Sequence, residues 1–135
     1  MTDETLCQLA MKAMETAYVP YSGYKVGAAL LCENGKVYLG CNIENAAFTP
    51  TVCGERTAFF KAISEGEKNF VSIAVAGGKD GVVEDVFPPC GVCRQVIAEF
   101  CNPDTFTILM VKPNGYEKHT LRELLPFGFD KNRLK

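Results

Sequence analysis

Tyr24-Lys25-Val26-Gly27-Ala28-Ala29-Leu30-Leu31-Cys32-Glu33-Asn34-Gly35-Lys36-Val37-Tyr38-Leu39-Gly40-Cys41 is the stretch on which the fold turns. Two apolar runs, Tyr24 to Cys32 and Lys36 to Cys41, flank Asn34-Gly35. That pair tolerates the positive φ of a two-residue hairpin turn, so two antiparallel strands are expected. On the N-terminal side, Leu6, Leu9, Ala10, Ala13, Met14 and Ala17 recur at the spacing of an amphipathic helix, which the Pro20-Tyr21-Ser22-Gly23 cluster ends. On the C-terminal side a second helix is expected from Thr49-Pro50, with Thr49 as N-cap, through Ala58, Phe59, Ala62 and Ile63 to Gly66. Val71, Ile73 and Val75 mark a third strand, and Gly77 to Phe87 reads as the longest loop.

A third helix follows Pro88-Pro89, with Val92, Val96, Ile97 and Phe100 on its apolar side. Phe106 to Val111 make a fourth strand, and Asn114-Gly115 turns the chain into a fifth at Tyr116 to His119. Thr120 with Glu123 three residues later is a capping-box pattern opening a brief helix that Pro126 ends. The order helix, two strands, helix, strand, helix, two strands, helix implies one mixed sheet covered by helices, an α/β layered domain.

With 135 residues, 47% hydrophobic and 22% charged, the chain has ordinary globular composition and the length of one domain, 1–135. Fourteen Lys plus Arg against 16 Asp plus Glu leave a net charge of -2, with no excess to hold a polyphosphate backbone. Nucleic acid is therefore not expected as a partner. No apolar run approaches the length of a membrane span and Met1-Thr2-Asp3-Glu4 is acidic, so a cytoplasmic protein with no membrane partner is expected.

Seven cysteines, at 7, 32, 41, 53, 90, 93 and 101, are the anomaly. In a reducing compartment thiols serve as metal ligands, catalytic groups or small buried hydrophobes. Cys90-Gly91-Val92-Cys93 opens a helix, where free N–H groups favour thiolate over thiol. Alone, that spacing suits a metal and a dithiol redox pair equally. Thr51-Val52-Cys53-Gly54-Glu55-Arg56 adds a third thiol and a carboxylate, neither of which a redox pair needs. Cys53, Cys90 and Cys93 would leave a tetrahedral zinc with one open position for water, the mark of a catalytic site. Glu55, close to that water and not bound to the metal, is the candidate general acid and base. Three thiolates over-neutralise a divalent zinc ion, and Arg56 is the candidate guanidinium that offsets them. Cys7, Cys32, Cys41 and Cys101 lie in apolar runs and read as buried hydrophobes.

C-G-E at 53 to 55 followed by P-C-G-V-C at 89 to 93 resembles the zinc signature of the nucleobase deaminases. Tyr21 to Ala29, Gly40-Cys41-Asn42-Ile43-Glu44-Asn45-Ala46, Glu55-Arg56-Thr57-Ala58 and Cys93-Arg94-Gln95-Val96 resemble the small, homotetrameric cytidine deaminases more closely still. The likeness runs from the first helix to Leu124-Leu125-Pro126, and Asn42-Ile43-Glu44-Asn45 narrows it to the free-nucleoside enzymes.

The resemblance implies a three-layer α/β/α sandwich with a mixed five-stranded sheet. It also implies hydrolytic deamination of cytidine and 2′-deoxycytidine, as in pyrimidine salvage, with zinc as cofactor and active sites shared within a homotetramer. By the same resemblance Asn42 and Glu44 hold the ribose, Tyr24 and Phe48 stand near base and sugar, backbone near Gly54 meets the pyrimidine edge, and Phe129 or Phe127 enters a neighbouring subunit's site. A carboxylate at 44 would also repel a phosphate, favouring nucleosides over nucleotides. Two rival readings are a zinc deaminase of another amino-heterocycle and a non-catalytic zinc or dithiol module.

Overall fold

The computed structural model describes residues 1–134; the last residue of the expected 1–135 domain lies outside the described residues. Strand β1 (Tyr24–Cys32) runs antiparallel to β2 (Val37–Cys41) on one side and to β3 (Phe70–Lys79) on the other. β3 pairs in parallel with β4 (Thr107–Lys112), which pairs antiparallel with β5 (Gly115–Thr120). The mixed sheet therefore has the order β2-β1-β3-β4-β5.

Strand alternation divides the core between the two faces. Ala29, Ala74, Ala76, Leu109 and Val111 face Leu6, Cys7, Ala10 and Met14 of the N-terminal segment, whose helix α1 spans Asp3–Ala13. Ala28, Leu30, Ile73, Val75, Ile108 and Met110 pack on the opposite side, with Ala58, Phe59 and Ala62 of α2 (Gly54–Ser64) and Ile97 of α3 (Gly91–Phe100). Leu121 of the one-turn helix α4 (Leu121–Leu124) closes this second layer. The sandwich is three-layered, as expected. Phe59 is fully buried among Phe70, Phe100 and Phe106, and burial of one such ring is worth about 1.5–3 kcal/mol. Among the described residues no helix is long and apolar enough to cross a membrane.

Three departures from the sequence reading have local causes. The first hairpin is not closed by a two-residue turn: Cys32 N–H donates to the Lys36 carbonyl and Gly35 N–H to the Cys32 carbonyl. Only Gly35 takes a left-handed φ (91°), while Asn34 supports the loop by accepting from Lys36 N–H and donating to Glu67. Helix α2 begins at Gly54, because Val52 is taken up in a two-way backbone pair with Ile43 and Thr51 N–H bonds back to Phe48. Cys53, extended at φ -77° and ψ 155°, is the N-cap in place of Thr49. β3 continues through Gly77 and Gly78, residues read from sequence as the start of a loop.

Candidate active site

Two helix N-termini meet beside β1. The Ile43–Val52 pair, flanked by bonds from Tyr18 N–H to Asn42 O and from Glu44 N–H to Tyr18 O, folds the 42–53 connection back along the sheet. It delivers Cys53 to the start of α2. Gly40 lets that helix lie against β2, since a Cβ there would stand 2.4 Å from the Gly54 carbonyl oxygen. Pro88 and Pro89 lead into α3, whose N-cap Cys90 accepts a hydrogen bond from Cys93 N–H through its sulfur.

The three expected ligands come together. Sγ of Cys53 lies 3.7 Å from Sγ of Cys90, and Sγ of Cys90 lies 3.5 Å from Sγ of Cys93. All three sulfurs fall within 4.8 Å of one another, and no other group of His, Cys, Asp or Glu among the described residues has metal-ligand spacing. Zinc–sulfur bonds of about 2.3 Å in a tetrahedron separate sulfurs by a little under 4 Å, so this donor set suits zinc.

The electrostatics agree with that chemistry. A hydrogen bond with Cys93, with the Arg56 guanidinium and the Cys90 sulfur adding to it against the cost of burial, holds Cys53 below the ordinary thiol range. Cys93 is pushed upward, first by that same hydrogen bond and then by burial. Arg56 Nη2 donates to Cys53 Sγ at 3.3 Å, as a guanidinium that offsets thiolate charge must.

Glu55 is 3% exposed, and its Oε1 has no hydrogen-bond partner. A buried, unpartnered carboxylate oxygen is costly unless something outside the protein meets it. Burial is the main cause that raises the Glu55 carboxyl to about 7, with the neighbouring Cys53 thiolate adding to it. A carboxyl near neutrality can both take and return a proton.

Cys53, Glu55 and Cys90 open into a cavity of about 170 Å³ that is also lined by Ser22, Tyr24, Val26, Asn42, Phe87 and Pro88. Asn42 accepts from Val26 N–H and donates to the Tyr24 carbonyl, so its amide is held rigidly at the cavity wall. Glu44 stands behind Ser22, accepting from the Ser22 hydroxyl at 2.5 Å and from the N–H groups of Tyr21 and Ser22. These bonds, that of the hydroxyl foremost, keep its carboxyl below the ordinary value of 4.5 and therefore ionised.

Tyr24 lines the cavity, whereas Gly54 is buried against Val26 and Cys41 and does not. Phe48, 84% exposed, lies outside the lining, and so do Phe127 at 99% and Phe129 at 60%. Two larger grooves near the C-terminus, at Arg122, Asp130 and Asn132, include none of the three clustered thiols. Phe87, read from sequence only as the end of a loop, is a lining residue that was missed. Its ring packs on Tyr24 with centroids 6.2 Å apart and planes 29° from parallel. The signal for it was spatial, a contact with residues 63 and ten positions away.

A three-sulfur site at two helix N-termini, open to a cavity and backed by a buried carboxyl, has the layout of a metal-dependent hydrolase centre. Residues 1–110 match the cytidine and deoxycytidylate deaminase zinc-binding region, and the chain belongs to that family. It is 50% identical over 134 residues to a cytidine deaminase of Sporosarcina psychrophila, covering 99% of this chain and 96% of that protein. It is 48% identical over 129 residues to a cytidine deaminase of Halalkalibacterium halodurans, covering 96% of this chain and 95% of the relative. The crystal structure of the Burkholderia pseudomallei cytidine deaminase superposes with a TM-score of 0.88 at 40% identity, over 96% of this chain and all of that one.

Proposed function

We propose that the chain catalyses hydrolytic deamination of cytidine and 2′-deoxycytidine, consuming water and releasing ammonia and the corresponding uridine. The observation that carries this reading is the buried, unpartnered Glu55 oxygen beside three sulfurs at zinc spacing, on a wall of the same small cavity. Zinc held by Cys53, Cys90 and Cys93 supplies, when bound, a Lewis acid that makes water a nucleophile near neutral pH. Glu55 takes one proton from the attacking water and passes it to ring nitrogen 3 of cytosine, then takes the remaining proton from the hydroxyl added at carbon 4 and delivers it to the departing amine, which leaves as ammonia. Arg56 balances the charge of the sulfur set by donating to Cys53.

Asn42, fixed by two backbone bonds, presents its remaining polar capacity to the pentose, with Glu44 as the acceptor for a sugar hydroxyl. An ionised Glu44 repels a 5′-phosphate, which favours the free nucleoside. Tyr24 supplies apolar wall, and the backbone leading into Gly54 and Cys90 meets the pyrimidine edge. Phe48, Phe127 and Phe129 are exposed and outside the lining of this chain's cavity. In the proposed homotetramer, Phe129 or Phe127 enters a neighbouring subunit's site. The 1–135 segment acts as one domain, in the cytoplasm and in nucleoside salvage.

The test is a zinc-loaded sample mixed with cytidine, followed by the ultraviolet change that accompanies conversion to uridine. Turnover is expected. Bound zinc with untouched cytidine would refute the substrate assignment and leave the metal centre standing.

A further inference from the structure

We propose that Phe87 is a specificity-determining wall of the cavity and that Gly77 is its positioning residue; the assignment rests on the deaminase reading above. Gly77 sits in β3 directly across from Val26 of β1, and Val26 lines the cavity. The phenyl ring of Phe87 occupies the space that a side chain at 77 would take. A Cβ built on Gly77 would lie 2.6 Å from Cγ and 2.8 Å from Cδ1 of that ring, nearer than real side chains come. The ring is thus keyed into the sheet by a missing methyl group. Part of it packs against the core, and another part stacks on Tyr24 and lines the cavity.

The backbone beside it is tightly packed as well. A Cβ on Gly78 would lie 1.8 Å from the Val82 carbonyl oxygen, so the 78–82 turn is folded tightly back on the strand end. Lys79, in the same strand, holds its ammonium 5.2 Å from the Tyr24 ring centroid, a cation–π contact that steadies Tyr24. In a cavity of only about 170 Å³, a shift of one aromatic wall by the width of a methyl group changes what heterocycle can enter. Cys53 and Glu55 come from the start of α2, whereas Phe87 lies three residues before Cys90 on the segment that leads into α3. A change at 77 is therefore read in KM against kcat with zinc per chain measured beside it, so that a moved wall and a disturbed ligand are told apart.

Zinc-loaded wild type, Gly77→Ala, Phe87→Ala and the double variant are compared in cytidine kinetics, zinc per chain and thermal midpoint. Gly77→Ala is expected to raise KM about tenfold with kcat within about threefold, in the range one misplaced methyl group produces in an apolar pocket. Zinc per chain stays at the wild-type value. Phe87→Ala raises KM about threefold, and the double variant matches it within about twofold, because removing the ring atoms that lie 2.6 and 2.8 Å from a Cβ at 77 leaves only the 3.0 Å contact with the Phe87 Cβ position, which a small shift relieves. A destabilising effect of Gly77→Ala unrelated to the ring would persist in the double variant, so additive effects overturn the assignment. If Gly77→Ala does not fold, Phe87→Ala carries the test alone, and a wild-type KM in it overturns the assignment. Absence of cytidine turnover by the zinc-loaded wild type overturns the deaminase reading and this assignment together, an outcome distinct from an active enzyme with unmoved KM.

Discussion

Arg56 Nη2 stands 3.3 Å from the sulfur of Cys53, three residues earlier on the same turn of chain. The contact joins the N-cap of α2 to its first turn, so the helix that supplies a metal ligand also supplies that ligand's counter-charge.

Replacing Arg56 by Gln removes the cation and leaves the thiolate set uncompensated. A hydrogen bond to a charged group is worth about 1.5–3 kcal/mol, so zinc affinity is expected to fall roughly ten- to hundredfold. Competition against a chromophoric chelator reads this directly, and unchanged affinity would show that the two helix N-termini suffice.

Glu55→Ala removes a proton carrier and no ligand. Zinc per chain is expected to stay at the wild-type value while kcat falls by about 10²–10⁴, the range of general acid–base contributions. Metal analysis beside steady-state kinetics separates the two, and near-normal kcat would dismiss Glu55 from the chemistry.

Withdrawing the metal with a strong chelator is expected to lower the thermal midpoint reversibly, since a ligand that binds only the folded chain stabilises it by mass action. Differential scanning calorimetry of chelated and zinc-restored samples is the measurement. Cys93→Ala, which deletes one sulfur, is expected to show the lower midpoint whether or not zinc is added.

Glu44 has its folded pKa depressed by the Ser22 hydroxyl and by backbone N–H groups. Its contribution to stability is accordingly present above the unfolded carboxyl value and is lost as pH falls through the lower folded value. Ser22→Ala removes the largest cause and moves the Glu44 titration upward toward 4.5. A carboxyl-resolved NMR titration of both proteins below neutral pH tests this, and identical curves would refute the coupling.

Much of this was legible in the chain because it rests on local chemistry. The limits of β1 follow from the apolar run Tyr24 to Cys32, the start of α3 from Pro88-Pro89, and α4 from the Thr120–Glu123 capping box, in which both bonds form. Cys90 and Cys93 were legible for a similar reason, since the two prolines announce a helix N-terminus, whereas Cys53 was picked out by the carboxylate two residues on. The start of α2 was not: Thr49-Pro50 is a sound local signal, but Val52 gains two backbone bonds by pairing with Ile43, and tertiary pairing overrode it. Phe87 was hidden because its meaning lies in Gly77, ten residues back, and no local pattern ties a glycine in a strand to a ring in a loop.

Cys53 and Cys90 are 37 residues apart, yet their sulfurs lie within 3.7 Å. Between them run all of α2 and β3, so in the folded chain the three sulfurs are brought together by elements on both sides of the β1–β3 pairing. A chain in which these elements are not packed together keeps at most the local Cys90–Cys93 pair, two of the three sulfurs. Bound zinc per chain is therefore a census of correctly folded molecules, and a preparation can be graded by its metal before any substrate is added.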